Sequence, residues 1–172
     1  MAELKFVEVA SEEQIATVSK MAYELWTAHY KPPMCSVEQT VYMLDTFQSR
    51  AAIAQQIAHY GYRYFLVYAP PAAEPVGYLA TCPMEDAPHA LCLSKLYLAS
   101  SARGKGYGRA MCAFVDRIAR QAGCTSVQLF CNRQNPSVAA YKKLGFHIVR
   151  EQDTPLGSGY FGEGYIFERA IA

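Results

Sequence analysis

The sequence has almost no net charge: sixteen Lys and Arg stand against fifteen Asp and Glu, a balance of +1. That is too little to hold a polyanion by counterion release, so no nucleic acid partner is expected and any anionic ligand must meet a local site. There is no apolar run long enough to cross a bilayer, and the first twenty residues carry acids without an apolar core. Neither a membrane partner nor a secretory leader is expected. The six cysteines (Cys35, Cys82, Cys92, Cys112, Cys124, Cys131) contain no C-x-x-C pair, and none clusters at zinc spacing with His29, His59, His89 or His147. No metal site is expected. Most of these cysteines lie inside apolar runs such as YLATC and VQLFC, where a free thiol acts as a small hydrophobe, and a reducing cytoplasm is the expected setting.

What is present is 52% hydrophobic and 18% charged residues over 172 positions, the composition of one globular domain spanning 1–172. Leu4 to Val9 alternates like a half-buried strand, and Ser11-Glu12-Glu13-Gln14 is a capping box that opens a helix to about Ala28. Ile15, Val18, Met21, Ala22 and Leu25 form its apolar stripe. Pro32-Pro33 stops that helix, Ser36-Val37-Glu38-Gln39 repeats the cap before a helix to Phe47, and a short third helix covers 49–58. Tyr62–Tyr68 and Val76–Cys82 read as a hairpin around a proline-rich turn. A strand from His89 to Leu98 leads through a glycine-rich stretch into a helix ending near Gly123. Ser126–Cys131 is a strand, Asn135-Pro136 opens a helix to Leu144, and Phe146–Arg150 and Tyr160–Arg169 are strands. This alternation predicts an α/β (α+β) fold, a mixed central sheet of about six to seven strands flanked by helices.

The segment richest in chemistry is Leu96-Tyr97-Leu98-Ala-Ser-Ser-Ala-Arg103-Gly104-Lys105-Gly106-Tyr107-Gly108-Arg109. Three glycines in five residues at a helix start leave several backbone N–H groups unpaired and unshielded, a setting suited to a phosphate or pyrophosphate, and the nearby Arg and Lys add charge. The spacing is wrong for a P-loop, which needs G-x-x-x-x-G-K-S/T, and for the dinucleotide fingerprint G-x-G-x-x-G. It fits R/Q-x-x-G-x-G/A. Further on, Asn135-Pro136-Ser-Val-Ala139-Ala140-Tyr141-Lys142-Lys143-Leu144-Gly145-Phe146 is similar to N-x-x-A-x-x-F/Y-Y-x-x-x-G-F, with Ala140 where that pattern has an aromatic. Each residue has an ordinary structural use, Asn135 as a cap and Gly145 as a helix stop. The two motifs in order, each at a strand–helix junction, are what carries weight.

On these motifs the chain resembles the GNAT superfamily of N-acetyltransferases, with the strong match over roughly Gly77 to Arg150. The resemblance implies acetyl-CoA as cosubstrate and a GNAT-like sheet whose fourth and fifth strands splay apart, with a bulge near Ser94–Leu96. It implies that Leu96, Tyr97 and Leu98 offer main chain to the pantetheine arm and that Arg103, Gly104, Lys105, Gly106, Tyr107 and Gly108 cradle the pyrophosphate. Asn135 would face the pantetheine or the reacting end, with Tyr141 near the thioester sulfur.

The implied reaction is direct attack of a primary amine on the thioester, with a main-chain N–H around Leu96 stabilising the oxyanion and Tyr141 protonating the departing thiolate. With pKa values of ~10 for a phenol and ~8.5 for a thiol, that transfer is uphill by only ~2 kcal/mol. A base must take the proton of the amine; His29, His59, His89, Glu85, Glu163 and water relayed through Ser94 are the candidates. The acceptor site is expected between the first two helices and the last hairpin, where Trp26, His29, Tyr30, Tyr42, Phe47, Tyr160, Phe161 and Tyr165 are plentiful and Glu163 lies nearby. An aromatic wall with an acid favours a small cationic amine such as a polyamine. A peptide N-terminus, a lysine side chain or an aminoglycoside stays open, as does a homodimer. The rival class is a catalytically idle acyl-CoA sensor or scaffold; a nucleotide-binding regulator is disfavoured by the loop spacing.

Overall fold

The structure is a computed structural model and describes residues 3–171. Its elements are β1 (Lys5–Glu8), α1 (Glu12–His29), α2 (Val37–Phe47), α3 (Arg50–His59), β2 (Arg63–Tyr68), β3 (Gly77–Pro83), β4 (Ala90–Leu98), α4 (Tyr107–Gln121), β5 (Ser126–Asn132), α5 (Ser137–Lys143), β6 (His147–Gly157) and β7 (Tyr160–Ala170). The expected capping box is formed: Ser11 Oγ accepts from Gln14 N–H and Gln14 Oε1 accepts from Ser11 N–H. Ser36 and Ser49 cap α2 and α3 with the serine bond alone, accepting from Gln39 and Ala52 N–H.

All seven strands form one mixed sheet in the order β1-β2-β3-β4-β5-β7-β6. The period-2 alternation of β2 and β3 sorts their residues onto two cores. Phe65, Val67 and Leu79 pack with Met111 and Val115 of α4, while Tyr64, Leu66 and Tyr78 pack with Val18, Trp26 and Leu44 of α1 and α2. The second core holds a buried polar chain. Trp26 Nε1 donates to Tyr78 Oη at 3.0 Å, Tyr78 Oη to Gln48 Oε1 at 2.9 Å, and Gln48 Nε2 to Tyr64 Oη at 3.1 Å.

The sheet opens in its middle. Ala80 pairs with Lys95 but Thr81 pairs with Leu93, so Ser94 is the extra residue of a bulge, within the expected stretch. β4 meets β5 in parallel only over Ala90–Cys92, opposite Ser126–Gln128; beyond Cys92 the two strands part. The expected splay is therefore present.

β6 is longer than the sequence suggests. A strand ending at Arg150 is expected, yet β6 runs to Gly157 and pairs with β7 along its length. Its sequence is polar because it is the sheet edge, with one strand neighbour and little burial, and an edge also tolerates Pro155. Arg133 fastens it by pairing with Glu151 at 2.8 Å and with Asp153.

Candidate active site

A cavity of about 710 Å³ fills the gap between β4 and β5. It passes through the sheet, because its lining includes Arg103 and Gly108 from the α4 side and Trp26, Tyr30 and Met43 from the α1 and α2 side. The strand edge facing it is unpaired for a geometric reason. Ala99 N–H donates to Val76 O at 2.9 Å, toward β3. Main-chain groups alternate sides along a strand, so Tyr97 also faces β3, while Leu96 and Leu98 turn their N–H and C=O to the open edge. Leu98 O there accepts from Arg103 Nε at 3.3 Å.

At one mouth lies the start of α4. Gly106 takes a left-handed conformation as N-cap (φ 80°) and Gly104 is left-handed too (φ 75°). Both lie in the region that side chains avoid, which is why glycine stands there. Among the described residues, the N–H groups of Gly104 through Gly108 have no hydrogen-bond partner. A Cβ on Gly104 or Gly108 would meet nothing within 4 Å, so those donors are open to a ligand at the positive end of a 15-residue helix.

The opposite wall is α5. Tyr141 is set by core contacts, its ring 5.9 Å from Phe146 and 6.0 Å from Phe167, and its hydroxyl has no partner among the described residues. It lines the cavity. Burial pushes its phenol well above the ordinary range, with Cys131, Tyr30 and Cys112 adding to the effect, so the hydroxyl keeps its proton. Asn135 is buried and stands one residue before the N-cap, which is Pro136 and not, as expected, Asn135; its Oδ1 accepts from Ser137 N–H at 2.8 Å. That bond identifies the atom as oxygen, and the same Oδ1 lies 3.1 Å from His29 Nε2. Nε2 must therefore carry the hydrogen, which leaves Nδ1 of a neutral ring with a free lone pair. Burial lowers the His29 pKa, partly opposed by the Asn135 contact and assisted by the charge of Arg103.

On the α1–α3 side the wall is aromatic. Tyr30 Oη and Tyr97 Oη are 2.8 Å apart, and Trp26 tilts against both rings at 5.1 and 5.5 Å. Burial raises Tyr30 to about 12. Past the bulge, Lys95 Nζ donates to Ser94 Oγ at 2.7 Å and sits 5.9 Å from the Tyr62 ring centroid. Burial pulls its ammonium below the usual range, while the neighbouring Cys92 and Cys82 act the other way. Cys82 faces Cys92 across the β3–β4 ladder and is lowered to about 7, chiefly by the hydrogen bond from Cys92.

Residues 21–146 match the model of the Acetyltransferase (GNAT) family. The chain belongs to the GNAT acetyltransferase family. It is thus an acetyl-CoA-dependent N-acetyltransferase. Solved structures similar to this GNAT chain include the PaiA N-acetyltransferase from Thermoplasma acidophilum in complex with coenzyme A, 19% identical over 96% of this chain and 99% of that one, TM-score 0.74. Others are a GCN5-related N-acetyltransferase from Rhodopseudomonas palustris (13% identity, 99% and 98% coverage, TM-score 0.72) and a spermidine N-acetyltransferase SpeG chimera from Vibrio cholerae and hSSAT (14%, 98% and 96%, TM-score 0.68). At such identities the likeness is one of fold. No curated protein sequence matches the chain.

The residues fit the GNAT cosubstrate: free amides at the α4 mouth suit a pyrophosphate, and the Leu96–Leu98 edge suits the amides of a pantetheine arm. The cavity lining brings together Leu96, Tyr97, Leu98, Arg103, Gly108, Asn135, Tyr141, Trp26, His29 and Tyr30. Gly104, Lys105, Gly106 and Tyr107 lie at the mouth, outside that lining. Glu163 corrects an expectation: it is exposed on β7 and does not line the cavity, which the last hairpin reaches through Gln152, Thr154, Leu156 and Gly162 instead. Of the other base candidates, Glu85, His59 and His89 are exposed and away from the cavity, and His89 pairs with Glu168 at 3.5 Å. Lys95 was not singled out by sequence; its one signal was a charge inside the apolar run Leu91–Leu98. Among the described residues no group of three or more His, Cys, Asp or Glu could hold a metal, and no helix is long and apolar enough to cross a membrane.

Proposed function

We propose that this GNAT enzyme acetylates the primary amine of a small acceptor by direct attack, with Tyr141 as general acid and His29 as the group that receives the amine's proton. The observation that carries the proposal is a continuous path: free amides at the start of α4, an open main-chain edge at Leu98 and Leu96, and an unpartnered phenol at Tyr141, all around one cavity. Acetyl-CoA, when bound, supplies an acetyl thioester that an uncharged amine attacks without an acyl-enzyme.

The chain's own residues then have separable tasks. Arg103 and the amides of Gly104 through Gly108 hold the diphosphate. The Leu96 N–H points into the gap between the strands, where a prepositioned donor to a developing oxyanion contributes ~2.7–4 kcal/mol. Holding both reactants in one cavity removes part of an entropic barrier worth up to ~7–11 kcal/mol in well-oriented cases. Tyr141 Oη gives its proton to the departing sulfur. Its raised pKa is no obstacle by itself, because a thiolate in the same dry pocket is raised by the same burial. His29 Nδ1 is the lone pair available, since Asn135 occupies Nε2.

The acceptor reading shifts from the cationic amine that the aromatic wall suggests. Among the described residues, no Asp or Glu lines the cavity, so no carboxylate there would pair with the second ammonium of a polyamine. Calorimetry with coenzyme A and thiol release from acetyl-CoA with a panel of amines test the proposal. Heat together with turnover supports it; heat without turnover on any amine supports the acyl-CoA sensor; absence of heat refutes both.

A further inference from the structure

The charged side chains of the cavity are all cationic, and they sit at its two ends. Arg103 lies at the α4 mouth, beside the glycine loop. Lys95 lies past the Ser94 bulge with its side chain on the α1–α3 side, toward Tyr62, and it forms no ion pair among the described residues. An ammonium has three donors, and Ser94 Oγ takes one. Tyr62 offers a ring face. The acids that act on Lys95 are thiols and not carboxylates: Cys92, which lines the cavity, and Cys82, which does not. A recessed cation with spare donors and no carboxylate is costly unless a partner arrives.

We infer that the acceptor is itself anionic, an amine that also bears a carboxylate or phosphonate, and that Lys95 binds this group at the inner end of the cavity. The inference rests on the acetyltransferase reading above. It follows from order along β4: the diphosphate site lies beyond Leu98, the pantetheine edge runs back through Leu98 and Leu96, and Lys95 comes next. An amine placed to react beside Leu96 has the Lys95 ammonium as its closest charged neighbour along the strand. Amine and anion then lie within the reach of one lysine side chain, so a single small molecule spans both. A polyamine would instead bring a second positive charge to Lys95.

Matched acceptors test this: amino acids against their carboxamides, 2-aminoethylphosphonate against ethanolamine, and spermidine, all followed by thiol release from acetyl-CoA. The acid of a pair is expected to have the higher kcat/KM. Lys95→Met should lower the acid's kcat/KM by roughly 30-fold or more, mainly through KM, so that the ratio within the pair collapses, and Lys95→Arg should restore part of it. Coenzyme A calorimetry on each variant shows that it has folded. If spermidine or the uncharged members are the better acceptors, or if Lys95→Met lowers kcat equally for both members, the inference is overturned. It is likewise overturned if coenzyme A binds and none of these acceptors is acetylated. Absence of heat with coenzyme A would instead bring down the acetyltransferase reading itself.

Discussion

Changing Asn135 to Asp isolates the proton-accepting role of His29 with almost no change of shape. Asn135 Oδ1 accepts from Ser137 N–H and from His29 Nε2, and an aspartate oxygen can accept both. A carboxylate at the start of α5 also suits the helix dipole, so the fold is retained. In the parent protein burial holds the His29 pKa below its ordinary range, so the neutral ring predominates at pH 7. A carboxylate 3.1 Å from Nε2 favours imidazolium and raises the pKa by about one to two units. At pH 7 the neutral fraction then falls, and kcat/KM should fall with it, by at most about 10-fold for each unit of that rise. The sign requires recovery at high pH: near pH 9 most of the loss should disappear. The assay is kcat/KM for one acceptor from pH 6 to 9.5 in both proteins. Superimposable profiles, or a loss of equal size at every pH, would refute His29 as the group that takes up the proton.

Tyr141→Phe should lower kcat about a hundredfold or more while altering the Kd for coenzyme A far less; equal turnover by stopped thiol-release assay would remove the phenol from the chemistry. Gly104→Val forces a side chain into a left-handed conformation at about 1–2 kcal/mol, so coenzyme A should bind about 5- to 30-fold more weakly by calorimetry. Gln48→Leu leaves the buried Tyr78 hydroxyl without an acceptor beneath α1, while Tyr64 Oη keeps Gln56 Oε1, and should cost about 1–3 kcal/mol, a fall in Tm of about 2–12 °C by calorimetry.

Local signals along the chain carried far. Ser11 and Ser36 mark helix starts because a cap is a contact across three residues, and both caps form as read. Glycines at a strand–helix junction predict bare amides for an equally local reason, and the N–H groups of Gly104 through Gly108 have no partner among the described residues. The bulge at Ser94 and the parting of β4 from β5 came through resemblance, and pairing confirms both. The exposed position of Glu163 was not legible, because period 2 separates two faces of a strand without saying which one meets a cavity. The reach of β6 to Gly157 was missed because an edge strand buries little and so keeps a polar, loop-like sequence.

The order of residues by itself determined the elements, the glycine-rich loop at the start of α4 and the tyrosine of α5, since these depend on neighbours a few positions apart. Tertiary structure alone decided what lines the cavity between β4 and β5. His29 meets Asn135 across 106 positions, and Lys95 enters a cavity that no carboxylate lines among the described residues because a bulge redirects the strand that bears it. Charge neighbours and burial set protonation and acceptor preference, and both are properties of packed space rather than of spacing along a chain.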